Sequence, residues 1–239
     1  MTDAPESTNT AEHRLDAVIF DLDGVLLDSE IHWKRVGPEF LAAIVPGWST
    51  QDQISIHGMS VEQVYQHLCE RYELRISREQ LHEHYRLLAA QIYGVQSQVL
   101  PGALELMRAL KRDQVRLGLA TSAPTVWARI ALDRFGLERE IEAVVTSDDA
   151  DFEIKPSPAI YRIALQKLGV AARNALAVED TDRGIASARA AGLSCIGFRN
   201  GFNDRQQFSD ATFVTSDLHS LGRLALERIL RSSNECSGR

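Results

Sequence analysis

From Leu15 the chain reads LDAVIFDLDGVLLDS, in which Val18, Ile19 and Phe20 form an unbroken apolar run that stops on Asp21 and, two residues later, Asp23. A short continuous apolar run closed by a turn-forming Asp-Gly predicts a strand buried on both faces. Beyond Ser29 the period changes. Apolar residues recur at three- and four-residue intervals as Phe40, Leu41, Ile44, then Val61, Val64, Tyr65, Leu68, then Leu81, Tyr85, Leu88, Ile92, which marks amphipathic helices. No strand is predicted between Glu30 and Gln98. From Val99 onward helical and β-branched segments alternate: PGALELMRALKR before VRLGLAT, PTVWARIALDRFG before AVVTS, SPAIYRIALQKLG before ALAVED, and DRGIASARAAG before SCIGF, with a weaker strand ATFVT after them.

Such alternation requires right-handed βαβ crossovers and a parallel sheet. The chain therefore reads as α/β, with a Rossmann-like parallel sheet core carrying helices on both faces (residues 14–29 and 99–231). An all-α cap is inserted after the first strand (residues 30–98). The polar segment 1–13 and the tail 232–239, SSNECSGR, are expected to lack regular structure.

The 239 residues, 44% of them apolar, fit a main domain with a smaller one. A formal charge of −7 argues against nucleic-acid or anionic-membrane surfaces, which use clustered Lys and Arg. Phosphate remains open to an acidic chain where local cations or a metal reverse the field. Cys69, Cys195 and Cys236 lie far apart without CxxC or Cys/His spacing. They read as reduced thiols of a cytoplasmic protein rather than as zinc ligands or a disulfide framework. No stretch approaches the roughly 20 apolar residues of a membrane span.

Active sites of open parallel sheets lie beyond the carboxyl ends of the strands. Here the first strand ends on Asp21 and the second on Thr121 and Ser122; the third is followed by Lys155-Pro156, and the fourth ends on Glu179-Asp180. FDLDGVLLDS, GLATSAP, IKPSPAIY and VEDTDRGIASARAAG, in that order, resemble the four motifs of the haloacid dehalogenase superfamily. The pattern is similar to the branch of phosphatases and β-phosphoglucomutases with a helical cap after the first strand, and it extends from about Leu15 to Leu230.

The resemblance implies Mg²⁺-dependent hydrolysis of a small phosphorylated metabolite, a sugar phosphate in particular, through an aspartyl phosphate. Asp21 is then the nucleophile, and Asp23 the acid that protonates the leaving oxygen and later deprotonates water. Asp21 and Asp180 are the expected Mg²⁺ ligands, with the Asp23 backbone carbonyl, and Glu179 is an additional one, direct or through water. Thr121, Ser122 and Lys155 hold the phosphate, Lys155 offsetting the repulsion between two anions. These roles meet the physical demands of phosphoryl transfer: an in-line nucleophile, charge neutralisation and a proton for the alkoxide. Mg²⁺ suits an all-oxygen site, and hydroxyls ahead of Pro124 would meet a phosphate together with helix N-terminal amides. The plainer readings are helix caps at Glu179-Asp180 and at Ser122 or Ala123.

Glu30, His32 and Trp33 open the insertion just past the nucleophile and are expected to face the leaving group. His67, His82 and His84 do not share one helical face, and a solvated or core role is expected for each. Trp127 fits the core face of its helix, and Trp48 fits loop packing. Two other functions compete. A β-phosphoglucomutase-type mutase is similar in its core, but such enzymes carry a cap arginine shortly after a glycine, where HGMSVEQ places Val61 and Glu62, and Trp33 stands in for a linker histidine; both departures favour hydrolysis. A phospho-accepting receiver domain also uses carboxylates, a Thr and a Lys, but is about half as long and has no helical insertion.

Overall fold

The computed structural model describes residues 14–56 and 59–237, with side chains in the last helix through 233. The expectation for residues 1–13 lies outside this range. Six strands, β1 (Ala17–Phe20), β2 (Arg116–Ala120), β3 (Ala143–Val145), β4 (Ala175–Glu179), β5 (Ser194–Phe198) and β6 (Phe213–Thr215), form one sheet. Their order is β3-β2-β1-β4-β5-β6 and every pairing is parallel.

Among the described residues, four helices make up the insertion after β1: α1 (Ser29–Ile44), α2 (Thr50–Ser55), α3 (Val61–Arg71) and α4 (Arg78–Gln91). The remaining helices are α5 (Ala103–Arg112), α6 (Thr125–Phe135), α7 (Ala159–Leu168), α8 (Asp182–Ala190) and α9 (Arg223–Ser237). The alternation along β1 divides its side chains between two cores. Val18 and Phe20 join Leu117, Leu119, Leu176 and Val178 under α5, α6 and α9. Ala17 and Ile19 join Ala120, Ala175 and Ala177 under α7 and α8. Small residues on this second face let α7 approach closely: a Cβ at Gly118 would stand 3.0 Å from Leu168 Cδ1. Crossovers leave β1 toward β2 and β3, then return to β4 on its other side, so the strand order reverses between β1 and β4. That reversal opens a crevice at their carboxyl ends.

The inserted helices begin cleanly. Ser49, Ser60 and Ser77 cap α2, α3 and α4, each in a reciprocal box with Asp52, Gln63 or Gln80. They bury a separate cluster of Leu41, Val45, Ile56, Val64, Leu68 and Leu81. After α4 comes a π-helical turn, Ile92–Gln96. The two chain crossings are tied to one another: Asp28 N donates to Gln98 O (3.1 Å), Gln98 N to Asp28 Oδ1 (2.6 Å) and Leu100 N to Leu26 O (2.9 Å).

One expectation is corrected at the C-terminal end. Helix α9 runs to Ser237, so the segment from 232 is helical through 237. Buried Leu226 and Leu230 anchor the helix, and extending an established helix is far easier than nucleating one. No helix among the described residues is long and apolar enough to cross a membrane.

Candidate active site

β1 and β4 deliver their terminal carboxylates to the same point. Asp21, Glu179 and Asp180 each offer a carboxylate oxygen within 4.8 Å of the others. Lys155 Nζ sits between them, 2.5 Å from Asp21 Oδ1 and 2.5 Å from Glu179 Oε1, and donates to Ala120 O at 2.8 Å. Tyr161 Oη donates to Glu179 Oε1 at 2.6 Å. Asn200 Nδ2 donates to Asp180 Oδ2 (3.0 Å) and Asn203 Nδ2 to Asp180 O (2.8 Å).

Two glycines make room for this crowd. A Cβ at Gly184 would fall 1.9 Å from Glu179 Oε2, and one at Gly24, where φ is +80°, would fall 2.1 Å from Asp180 Oδ2. Neither carboxylate serves as the cap of α8. That role falls to Thr181, whose Oγ1 accepts from Gly184 N at 3.0 Å, so the helix-cap reading of Glu179-Asp180 does not hold.

Glu179 Oε2 is buried without a hydrogen-bond partner. An orphan buried carboxylate oxygen needs a reason, and three carboxylates facing one lysine make a donor set that a hard divalent cation such as Mg²⁺ fits. The electrostatics agree. Burial pushes the Asp21 carboxyl up to about 8, opposed by Lys155 and reinforced by Glu179 and Asp23. Burial likewise drives Asp180 well above the carboxylate range, with Asp21 and Glu179 adding to it. Burial works against the charge of Lys155, but the Asp21 and Glu179 carboxylates outweigh it and hold the ammonium above its usual range. A bound cation would favour the ionised carboxylates.

Asp23 is held apart from this cluster. Its Oδ1 accepts hydrogen bonds from Ser29 Oγ, at the start of α1, and from Tyr93 Oη at 2.8 Å. Burial raises its carboxyl to about 6 against the pull of those two hydroxyls. Buried Thr121 accepts from Ala123 N at 3.1 Å through Oγ1, and Ser122 Oγ accepts from Lys155 N at 3.4 Å. Helix α6 begins at Thr125, with Pro124 outside it as the cap. Thr125 N is taken by Asp148 Oδ2 at 2.9 Å, so the helix contributes fewer free amides than its sequence implies.

A cavity of about 1230 Å³ opens over these groups, with Asp21, Asp23, Thr121, Ser122, Lys155, Glu179 and Asp180 in its lining. Glu30 and Trp33 line it as well; His32 does not. His32 Nε2 lies 3.8 Å from Asp28 Oδ1 instead. Neighbours on a helix point about 100° apart, so His32 and Trp33 cannot both face the leaving group.

The sequence reading missed several residues here. Tyr93 comes from the π-helical turn, whose register no simple period reveals. Trp127 packs on the core but also lines the cavity. Arg78, His82 and Arg86 of α4 line it too, so the insertion does present cations to the pocket, Arg78 and Arg86, from α4 and not from the HGMSVEQ segment. Each is already paired: Arg78 Nε lies 2.7 Å and His82 Nε2 3.2 Å from Glu62 Oε2, and Arg86 Nη2 lies 2.6 Å from Glu83 Oε1. His67 faces Ser55 at 3.2 Å and His84 stacks on Phe40 with centroids 3.5 Å apart, so the three histidines have separate surroundings, as their spacing implies.

Residues 18–198, well over half of the chain, match the family of haloacid dehalogenase-like hydrolases. The chain belongs to that family. This haloacid dehalogenase-like hydrolase is 29% identical over 225 residues to protein CbbY of Cereibacter sphaeroides, spanning 88% of the chain and 96% of the relative. It is 27% identical over 201 residues to the phosphorylated carbohydrates phosphatase of Thermotoga maritima, spanning 84% and 93%. The crystal structure of CbbY from Rhodobacter sphaeroides in complex with phosphate is similar with a TM-score of 0.75 at 25% identity, over 87% of this chain and 96% of that one. Family membership makes the chain a hydrolase with a Rossmann-like α/β fold and removes the receiver reading.

Proposed function

We propose that this hydrolase is a Mg²⁺-dependent phosphatase of small phosphorylated metabolites, sugar phosphates in particular, acting through an aspartyl phosphate on Asp21. The observation that carries the reading is the meeting of Asp21, Glu179 and Asp180 around Lys155, with Asp23 held beside them by hydroxyls. The phosphatase of phosphorylated carbohydrates among its relatives supports the substrate class.

Asp21 attacks phosphorus, dividing one displacement into two. Lys155 lowers the repulsion between Asp21 and the phosphate, and the Thr121 and Ser122 hydroxyls donate to its oxygens. Asp23, with its carboxyl raised to about 6, is partly protonated near neutrality and gives that proton to the leaving oxygen, then takes one from the attacking water. Asp21, Glu179 and Asp180 would hold Mg²⁺ together with the Asp23 carbonyl; when bound, the ion neutralises charge on the transferring oxygens. Residues 30–98 act as a lid that excludes water and selects the leaving group, Glu30 and Trp33 facing it. The spacing of the cysteines, with Cys69 and Cys195 free, supports a cytoplasmic setting.

Phosphate release from p-nitrophenyl phosphate, with Mg²⁺ and with EDTA, tests the reading. Release should require the ion and vanish in Asp21→Asn with the far-UV spectrum unchanged; undiminished release by that variant overturns the mechanism. Phosphorus NMR on β-glucose 1-phosphate with a bisphosphate primer tests hydrolysis against mutase action. Glucose 6-phosphate accumulating ahead of inorganic phosphate would overturn the hydrolytic assignment.

A further inference from the structure

Arg183 stands apart from the other lysines and arginines of the cavity. Lys34 lies 3.4 Å from Glu30, Arg78 2.7 Å from Glu62, Arg86 2.6 Å from Glu83 and Lys155 2.5 Å from Asp21. Arg183, in the first turn of α8, lines the same cavity but has no carboxylate within ion-pair distance among the described residues. An arginine carries five N–H donors. Here one of them, on Nη2, donates to Lys155 O at 2.6 Å, and the others have no partner among the described residues. The side chain is exposed, so its charge is met by solvent and not by the protein.

This guanidinium is also close to the chemistry. Lys155 presents its ammonium to Asp21 at 2.5 Å and its carbonyl to Arg183 at 2.6 Å, so a single lysine residue spans the distance from the nucleophile to the guanidinium. A second hollow of about 450 Å³ shares Met59, Gln63, Gln66, Ile154 and Arg183 with the main cavity. Arg183 therefore sits where the two spaces join, on the boundary between the core and the insertion. A group carried at the far end of the leaving alcohol can reach it there.

The charge balance narrows what that group is. A hydroxyl would displace water from the guanidinium without supplying an opposite charge. A second phosphate would bring close to two negative charges to one positive charge. Asp151 and Glu70, which line these spaces without an ion pair among the described residues, would add to that excess. A carboxylate carries the single charge that Arg183 neutralises, and its two oxygens match the planar fork of the guanidinium. We infer that the alcohol released by this enzyme is a hydroxy acid whose carboxylate is held by Arg183. This rests on the phosphatase reading and adds to it the charge of the leaving group and the residue that selects it. Lysine is itself a six-carbon chain, so a six-carbon acid phosphorylated on its far carbon has the reach to place phosphorus at Asp21 and its carboxylate at Arg183.

The test compares kcat/KM for three esters of one open carbon chain, each losing phosphate from a primary oxygen. They differ at the far end: glucitol 6-phosphate ends in a hydroxymethyl group, 6-phosphogluconate in a carboxylate and glucitol 1,6-bisphosphate in a second phosphate. The wild-type enzyme should prefer 6-phosphogluconate over glucitol 6-phosphate by about tenfold or more, the scale of hydrogen bonds to a charged group. In Arg183→Ala that ratio should fall toward one. Arg183→Lys, which keeps the charge and loses the fork, should recover part of it. A ratio is insensitive to how much of a variant folds, and to any general loss from freeing Lys155 O.

Equal losses on all three esters in Arg183→Ala, with the ratio unchanged, would reduce the guanidinium to a support for the Lys155 backbone and overturn the inference. A wild-type enzyme that prefers glucitol 6-phosphate, or treats it and 6-phosphogluconate alike, overturns it too; both results leave the phosphatase reading intact. A tenfold preference for the bisphosphate over 6-phosphogluconate would overturn the carboxylate assignment. Absence of phosphate release from all three, and from p-nitrophenyl phosphate, is the distinct failure of the phosphatase reading itself and takes this inference with it.

Discussion

At the scale of single residues, the site depends on what is missing as much as on what is present. Gly184 leaves the space that Glu179 occupies, since a Cβ there would lie 1.9 Å from Oε2. Gly184→Ala should therefore push either the carboxylate or the start of α8 out of place. Calorimetric Mg²⁺ titration should show affinity falling by about tenfold or more, the scale seen when groups that orient metal ligands are altered. Unchanged affinity would mean that Glu179 takes no part in holding the ion. Asp23 makes a separable contribution. Asp23→Ala should slow turnover of alkyl phosphates by roughly 10²–10⁴, as expected on losing a general acid, and slow p-nitrophenyl phosphate much less, because nitrophenolate leaves without a proton. Equal losses on both substrates would remove the acid role.

At the scale of elements, the two junctions of the insertion converge on one carboxylate. Ser29 opens α1 and Tyr93 lies in the π-helical turn after α4, yet both donate to Asp23 Oδ1. That turn is gripped from the other side by α6: Arg134 donates to Tyr93 O at 2.9 Å and to Val95 O at 3.0 Å. Removing the guanidinium leaves two turn carbonyls without these donors and loosens the segment that carries Tyr93. Arg134→Met should accelerate amide hydrogen exchange across residues 92–98 while protection of β1 and β4 stays as it was. Equal exchange in variant and wild type would show that the turn holds its shape without α6. The helices that build the separate cluster of Leu41, Val64, Leu68 and Leu81 carry their own caps and core, which suits a unit that moves as one body.

At the scale of the whole molecule, the concentration of acid at the end of the sheet couples folding to metal and to pH. Ions that bind the folded site at about 100 times their dissociation constant add about 2.7 kcal/mol. In a chain of this length that raises Tm by about 5–10 °C, which differential scanning fluorimetry in EDTA and in Mg²⁺ will read. In the metal-free protein Asp21 titrates at about 8 and Asp23 at about 6, both above the value near 4 of an unfolded carboxyl. The folded state then binds more protons than the unfolded one between about pH 4 and pH 8. The stability from these groups is complete below pH 4 and is lost as pH rises through 6 and then 8. Metal-free Tm should accordingly fall between about pH 5.5 and pH 8.5, and fall less in Mg²⁺, which favours the ionised carboxylates. A metal-free Tm that climbs over that interval would contradict the placement of these acids in a buried cluster.

The strand ends and their chemistry were legible in the sequence because backbone periodicity and local turn chemistry are local properties. Val18-Ile19-Phe20 has to be a strand buried on both faces, and the βα alternation then sends Asp21, Thr121, Lys155, Glu179 and Asp180 to one edge. Which helical side chains meet across the cavity was decided only by packing. Trp33, Tyr85 and Trp127 belong to three helices far apart in the chain, and their meeting depends on the angle at which the inserted helices lie on α6. Tyr93 was hidden because a π-turn shifts the register that a 3.6-residue period assumes, and His32 was misplaced because the first turn of α1 could be rotated correctly only against its neighbours. The ion pair of Arg78 with Glu62 follows from the same tertiary placement: a formal charge in sequence says nothing of the partner that cancels it.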